Sequence, residues 1–204
     1  MHLRSLSLLL LLALISPLCA EPVILYPSSD VRMMIVSPQP SIIGSDDTTI
    51  DLNVGDTKDD NEWRSVILFD LKGRTKEINA AKSIMLQITV YRILGRPLTD
   101  IEIVTIEPID TGRIFPTDGS SPSLAVIGRI PADAKRGDRY EFDVSKAVQL
   151  SAFDHRVGFR VQLVKGQITR DTTPDGLIFV AGSKPLSAES GLTDADRPQL
   201  VITP

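Results

Sequence analysis

Cysteine and histidine are almost missing from this chain, and their scarcity removes whole classes of chemistry. The one cysteine, Cys19, and one of the two histidines, His2, lie within the first twenty residues. That stretch reads as a secretory leader over 1–20. His2 and Arg4 precede the apolar run Leu8 to Ile15, and Pro17-Leu18-Cys19-Ala20 offers a cleavage site with Ala at −1 and Leu at −3. Cys19 also raises a lipoprotein alternative with the cysteine kept and acylated, although lipid-modified leaders usually place a small residue where Leu18 stands. Ordinary secretion, to an extracellular or periplasmic space, is the expectation. Without the leader the chain keeps no cysteine and a single histidine, His155. Disulfides, thiolate metal sites and cysteine nucleophiles are then excluded.

Other absences narrow the field further. The apolar run is shorter than the ~20 residues a membrane span needs, so no membrane span is expected. No long basic run is present; without Arg4, 21 basic residues stand against 26 acidic ones, a net charge near −5. A nucleic-acid partner is therefore not expected. Aromatic residues make up only 5% and Trp63 is the sole tryptophan, which leaves little for a broad stacking platform. Asp154-His155 is half of a hydrolytic triad, but no Gly-x-Ser-x-Gly elbow accompanies it. A pair of glycosidase carboxylates stays open on sequence, since acidic residues abound, yet the aromatic-lined groove such sites want is poorly supplied. The expectation is a protein that is not an enzyme.

What the chain does have is alternation. Apolar residues recur at strand spacing over 31–37, 48–54, 63–71, 83–94, 101–107, 124–130, 138–144, 156–165, 177–181 and 198–203. Ile84, Leu86, Ile88 and Val90 fall on one face of the clearest run, with Gln87, Thr89 and Tyr91 on the other. Phe159, Val161 and Leu163 repeat the pattern against Arg160 and Gln162. Gly- and Pro-bearing turns separate the runs, among them Leu94-Gly95-Arg96-Pro97 and Thr173-Pro174-Asp175-Gly176. Helix is confined to one turn at most over 78–82 and a short segment over 144–151, with Asp143 as its expected N-cap. Residues 108–123 read as a long surface loop. An all-β fold follows: an antiparallel β-sandwich of jelly-roll kind, about ten strands and one short helix, in a single domain over 21–204. With no disulfide to help, a core drawn from about 180 residues must hold it together.

Several fragments occur in a recognisable order. Leu52-Asn53-Val54-Gly55 is followed by Arg64 leading to Phe69-Asp70-Leu71, then Ile78-Asn79-Ala80-Ala81 before the long strand. Phe142-Asp143-Val144 precedes Gly158-Phe159-Arg160-Val161, and Ser187-Ala188-Glu189 precedes Arg197-Pro198-Gln199-Leu200-Val201-Ile202. Together they resemble the DNRLRE domain, the group that includes carbohydrate-binding module family 96, over roughly residues 30–204. The chain departs from that pattern in having no mid-chain Trp-x-Glu and in carrying Ala181-Gly182-Ser183-Lys184 where a tighter serine-led turn belongs. The resemblance implies a non-catalytic module that docks on polysaccharide. A structural or adhesive component of the extracellular matrix or cell envelope, with envelope or matrix proteins as partners, is the alternative.

Four residues are the candidate ligand contacts: Trp63 and Tyr91 for stacking on sugar C–H faces, Arg160 and Gln162 for polar contact from one strand face. Arg92, Arg96, Arg160 and Lys165 would suit an anionic polysaccharide; a solvated outer face is the plainer account of the same charges. Arg64 or Arg197 is expected to pair with Asp70 or Glu189 and so fix strand ends. No cofactor is expected. The acidic loops Asp46-Asp47 and Asp56 to Glu62 leave a structural calcium open beside a solvated hairpin tip.

Overall fold

The structure, a computed structural model, describes residues 20–36, 39–42, 51–59, 61–95, 100–106, 123–164, 172–182 and 191–204. The leader up to Cys19, the 108–122 stretch of the expected loop, Asp46-Asp47, Arg96, Lys165 and the Ser187-Ala188-Glu189 motif lie outside the described residues.

Among the described residues, twelve strands and two α-helices follow in chain order. They are β1 Val23–Leu25, β2 Ser29–Val36, β3 Gln39–Ile42, β4 Asp51–Asp56, β5 Glu62–Asp70, α1 Thr75–Ala80, β6 Ser83–Leu94, β7 Ile101–Ile106, β8 Ala125–Ile130, β9 Arg139–Asp143, α2 Ser145–Ser151, β10 Arg156–Leu163, β11 Gly176–Val180 and β12 Gln199–Thr203. A 3-10 turn at Asp194–Asp196 precedes β12. The fold is all-β and sandwich-like, as the alternation predicts, and all ten expected strands are present. Two strands add to them: β1 and β3.

Every pairing is antiparallel. A smaller sheet runs β1-β12-β6-β9. A larger one runs β6-β11-β4-β5-β10-β7-β8, with β2 on the other edge of β5 and β3 beyond it. Strand β6 belongs to both. Its first half pairs β12 and β9, and from Val90 onward it pairs β11. The switch coincides with a bulge: Ile178 pairs with Arg92 and Phe179 with Val90, so Tyr91 is the extra residue. A bulge adds local twist and bends its strand, which is how one strand turns a sandwich corner. It also resets the alternation, so that Ile93 and not Arg92 lies opposite core Leu177.

The core lies between the layers. Leu52, Val54, Ile67, Phe69, Ile84, Leu86, Ile88, Val90, Ile103, Phe159, Leu177, Phe179 and Leu200 are buried in one cluster, and Phe69 meets Phe159 edge-on at 6.0 Å. Each such side chain contributes roughly 1.5–3 kcal/mol on leaving water. Two glycines permit the corners. Gly55 adopts φ 154°, and a Cβ there would lie 2.1 Å from the Asp175 carbonyl. A Cβ on Gly128 in edge strand β8 would lie 2.3 Å from the Phe142 ring of β9, so glycine lets the two sheets close along that side.

Both helices are short and lie where the chain passes from one sheet to the other, α1 between β5 and β6 and α2 between β9 and β10. Helix α1 starts at Thr75, three residues ahead of the turn expected at Ile78. Helix α2 begins at Ser145 with Val144 in the N-cap position, one residue later than the expected cap. Asp143 still serves that end, because its Oδ1 accepts from the Ser145 N–H at 2.9 Å and from the Ser145 hydroxyl at 2.6 Å.

Candidate functional site: the outward face of the smaller sheet

The four residues singled out by sequence do not converge. Arg160 and Gln162 do lie together on the outward face of β10, but they are buried, 4% and 8% exposed. Arg160 Nε donates to Gln162 Oε1 at 2.6 Å and Nη2 to the Ser123 hydroxyl at 2.9 Å, while Gln162 Nε2 donates to Glu102 Oε1 at 2.7 Å. Burial, and then the neighbouring Arg64 charge, lower the Arg160 pKa to about 10, partly offset by Glu62 and Glu102. The guanidinium stays protonated at neutral pH, held inside a satisfied network. That arrangement corrects the reading of Arg160 and Gln162 as solvent-facing contacts: strand period places a residue on a face but does not say whether the face is covered.

Trp63 is on the opposite side of the larger sheet, half-buried, with the Arg32 guanidinium 4.8 Å over its ring. Tyr91 is half-buried in the β6 bulge, with Arg136 5.7 Å over its ring. Arg92 lies 3.6 Å from Asp51. Among the described residues both strand-end arginines are paired locally, Arg64 with Glu62 and Arg197 with Asp194, while the expected partner Glu189 lies outside the described residues. Arg64 holds Glu62 at 2.6 Å. The buried Arg197 donates through Nε to the Gly182 carbonyl at 3.0 Å, pairs with Asp194 at 2.9 Å, and covers the Tyr26 ring at 4.1 Å. Asp70 accepts from the Lys72 N–H at 2.8 Å.

The acidic hairpin is also engaged in its own structure. Asp56 is buried and its Oδ1 accepts from the Asp175 N–H, while the Thr57 hydroxyl accepts from the Asp59 and Asn61 N–H groups. Among the described residues no group of three or more His, Cys, Asp or Glu side chains is arranged to hold a metal ion. His155 is exposed in a left-handed turn with φ 60°, its carbonyl accepting from the Leu71 N–H at 2.8 Å.

A different constellation emerges on the smaller sheet. Register places Gln199 of β12 and Glu141 of β9 on either side of Gln87 in β6. Gln87 Nε2 donates to Glu141 Oε1 at 2.7 Å, and Gln199 Nε2 donates to Gln87 Oε1 at 2.8 Å. Arg139 Nη2 donates to the same Gln87 oxygen. The Gln87 amide is therefore fixed, its NH2 end facing a carboxylate and its oxygen facing two donors. Tyr26 follows β1 by one residue and lies half-exposed beneath Arg197. Met85 and Val201 pair in the adjoining row and are half-buried, with Ile24 exposed beside them. An ordered polar row thus spans three strands, roughly 10 Å across at ordinary strand spacing, with Gln199 buried at 4% exposure, Gln87 half-buried, and Glu141 and Arg139 exposed, beside an aromatic ring and aliphatic flanks.

Chemically, the groups of this row are hydrogen-bond donors and acceptors. Sequence reasoning placed Gln87 on a polar face but missed its partners, and it passed over Tyr26. Glu141 does alternate with Tyr140 and Phe142, a local signal for the same outward face.

No family model matches the chain, and no curated protein matches it.

Proposed function

We propose that the chain is a secreted, non-catalytic carbohydrate-binding domain that docks reversibly on an extracellular polysaccharide. The observation that carries the reading is the hydrogen-bonded row on the outward face of the smaller sheet, with Glu141 and Arg139 exposed, Gln87 and Tyr26 half-exposed, and Gln199 buried beneath them as a support for the Gln87 amide. Sugar hydroxyls both donate and accept, so a row of amide, carboxylate and guanidinium groups suits them, and a tyrosine ring adds an apolar surface for C–H faces. The order of the DNRLRE-like motifs supports the same class. Affinity would come from many weak contacts repeated along a polymer.

The test is a glycan array followed by calorimetry on the protein lacking residues 1–20. Tyr26→Ala and Gln87→Ala should each weaken binding about tenfold, equivalent to about 1.4 kcal/mol, while circular dichroism stays unchanged. An unresponsive array, or full binding by both variants, contradicts the reading.

One observation favours a second reading, a structural or adhesive role in a matrix or envelope. Leu150 in the last turn of α2 and Phe153 just past it are 70% and 79% exposed. That role gives oligomers in solution and no glycan response.

A further inference from the structure

We propose that the outward face of the smaller sheet seats one extended glycan chain laid across its strands, four sugar rings from Tyr26 to Glu141, an inference that rests on the docking reading above. Register sets the line. The alternation that packs Val23 and Leu25 against the core turns Ile24 and Tyr26 outward. Carrying the β1–β12 pairing one residue past Leu25 sets Tyr26 opposite Gln199; Gln199 faces Gln87, and Gln87 faces Glu141. These positions fall on four successive strands, so Tyr26 and Glu141 stand roughly 14 Å apart at ordinary strand spacing. A second row, Ile24–Val201–Met85, crosses three of the same strands beside the first and is apolar. Both rows run across the strands, and so does the chain they fit.

The two ends of the line are open and its middle is not. At the β9 end Glu141 and Arg139 are exposed, two residues apart on one strand. Glu141 gives one oxygen to the Gln87 amide, and among the described residues its other oxygen has no partner. Arg139 gives one N–H to the Gln87 oxygen and keeps others for a ligand. This end accepts from one sugar hydroxyl and donates to the next. At the β1 end the buried Arg197 lies against the Tyr26 ring, and the exposed remainder of that ring suits the C–H face of a sugar. Between the ends Gln199 is buried, and the half-buried Gln87 spends its oxygen on two donors. The middle rings bridge and add little contact of their own.

An extended pyranose chain advances by about one strand spacing per ring, roughly 4.8 Å. Four rings therefore engage both ends together, whereas one or two rings engage a single end. Once one end is bound, the second contact is intramolecular, so affinity climbs until the span is met and then levels off. A lone tyrosine is no platform for a crystalline polymer, whose flat face needs several coplanar aromatic rings. The face takes a single hydrated chain.

Calorimetry of the purified protein with cello-, manno-, xylo- and mannurono-oligosaccharides of one to six residues tests this, beside depletion from solution by microcrystalline cellulose and chitin. In a series that binds, the steepest gain should fall between two and four rings, with less than about twofold added from four to six. Tyr26→Ala should weaken the tetrasaccharide about tenfold and remove most of the gain from lengthening. Neither powder should deplete the protein. An affinity already at its limit with one or two rings, a severalfold gain from four to six, or retention on a powder overturns the proposal and leaves docking standing. No binding by any series overturns the docking reading and this proposal with it.

Discussion

Arg197 shows how a charged side chain near a strand end is satisfied within the fold. Its guanidinium serves a backbone carbonyl, a carboxylate and an aromatic ring at once, so it joins the approach to β12 with the end of β11 and the start of the described chain. Gly182 is the other half of this joint: its N–H is taken by the buried Asp30, and Pro27 and Pro198 crowd the space a Cβ would need. Arg197→Ala leaves the Gly182 carbonyl without its donor and uncovers Tyr26, which should cost about 2–4 kcal/mol. Chemical denaturation checks this, and Arg197→Lys should recover only part because a compact ammonium lacks the planar guanidinium that reaches the Gly182 carbonyl and Asp194 while covering the Tyr26 ring. That the arginine would be satisfied locally was legible from the cost of burying a lone charge. Its partners were not, since they depend on which loops meet. The same limit hid the polar row. Gln87 lies 54 residues from Glu141 and 112 from Gln199, and no local pattern encodes that register.

Strands were the most legible elements because a period of two needs only a few residues to declare itself. The two additions explain their own invisibility. β1 has three residues, and β3 carries Pro40, which strand patterns exclude except at an edge; β3 pairs with β2 alone. The β6 bulge could not be read either, since Tyr91 continues the polar alternation of Gln87 and Thr89 until pairing with β11 breaks it. Helix α2 illustrates how an element is tied in place. The Ile84 N–H donates to the Ser145 hydroxyl at 2.8 Å, which donates in turn to Asp143. These bonds favour the ionised carboxylate, so its folded-state pKa falls below the ordinary 3.8. The resulting stabilisation is fully present above about pH 4 and is lost as the pH falls through the lower folded-state value. Asp143 is exposed, so the effect is small, less than about 1 kcal/mol. Melting temperatures between pH 6 and pH 2.5 should show Asp143→Ala less stable than the parent at the upper end and converging with it at the acid end. A constant gap across the range contradicts the linkage.

At the scale of the molecule, one strand shared between layers gives the two sheets different outward faces. The larger sheet covers its outward face at the centre, burying Val66, Val104, Arg160, Ile178 and Val180, so a basic residue there becomes part of the interior. The smaller sheet leaves Glu141 and Arg139 in solvent over a hydrogen-bonded row. The central claim is that this second face, and not the first, meets polysaccharide without transforming it. Amide chemical-shift mapping during titration with cello- and manno-oligosaccharides tests it most directly. Shifts should concentrate at Tyr26, Gln87, Arg139, Glu141 and Gln199, with the oligosaccharide recovered intact. Shifts gathered around Arg160 and Glu102, no shifts at all, or shortened sugar products would contradict it.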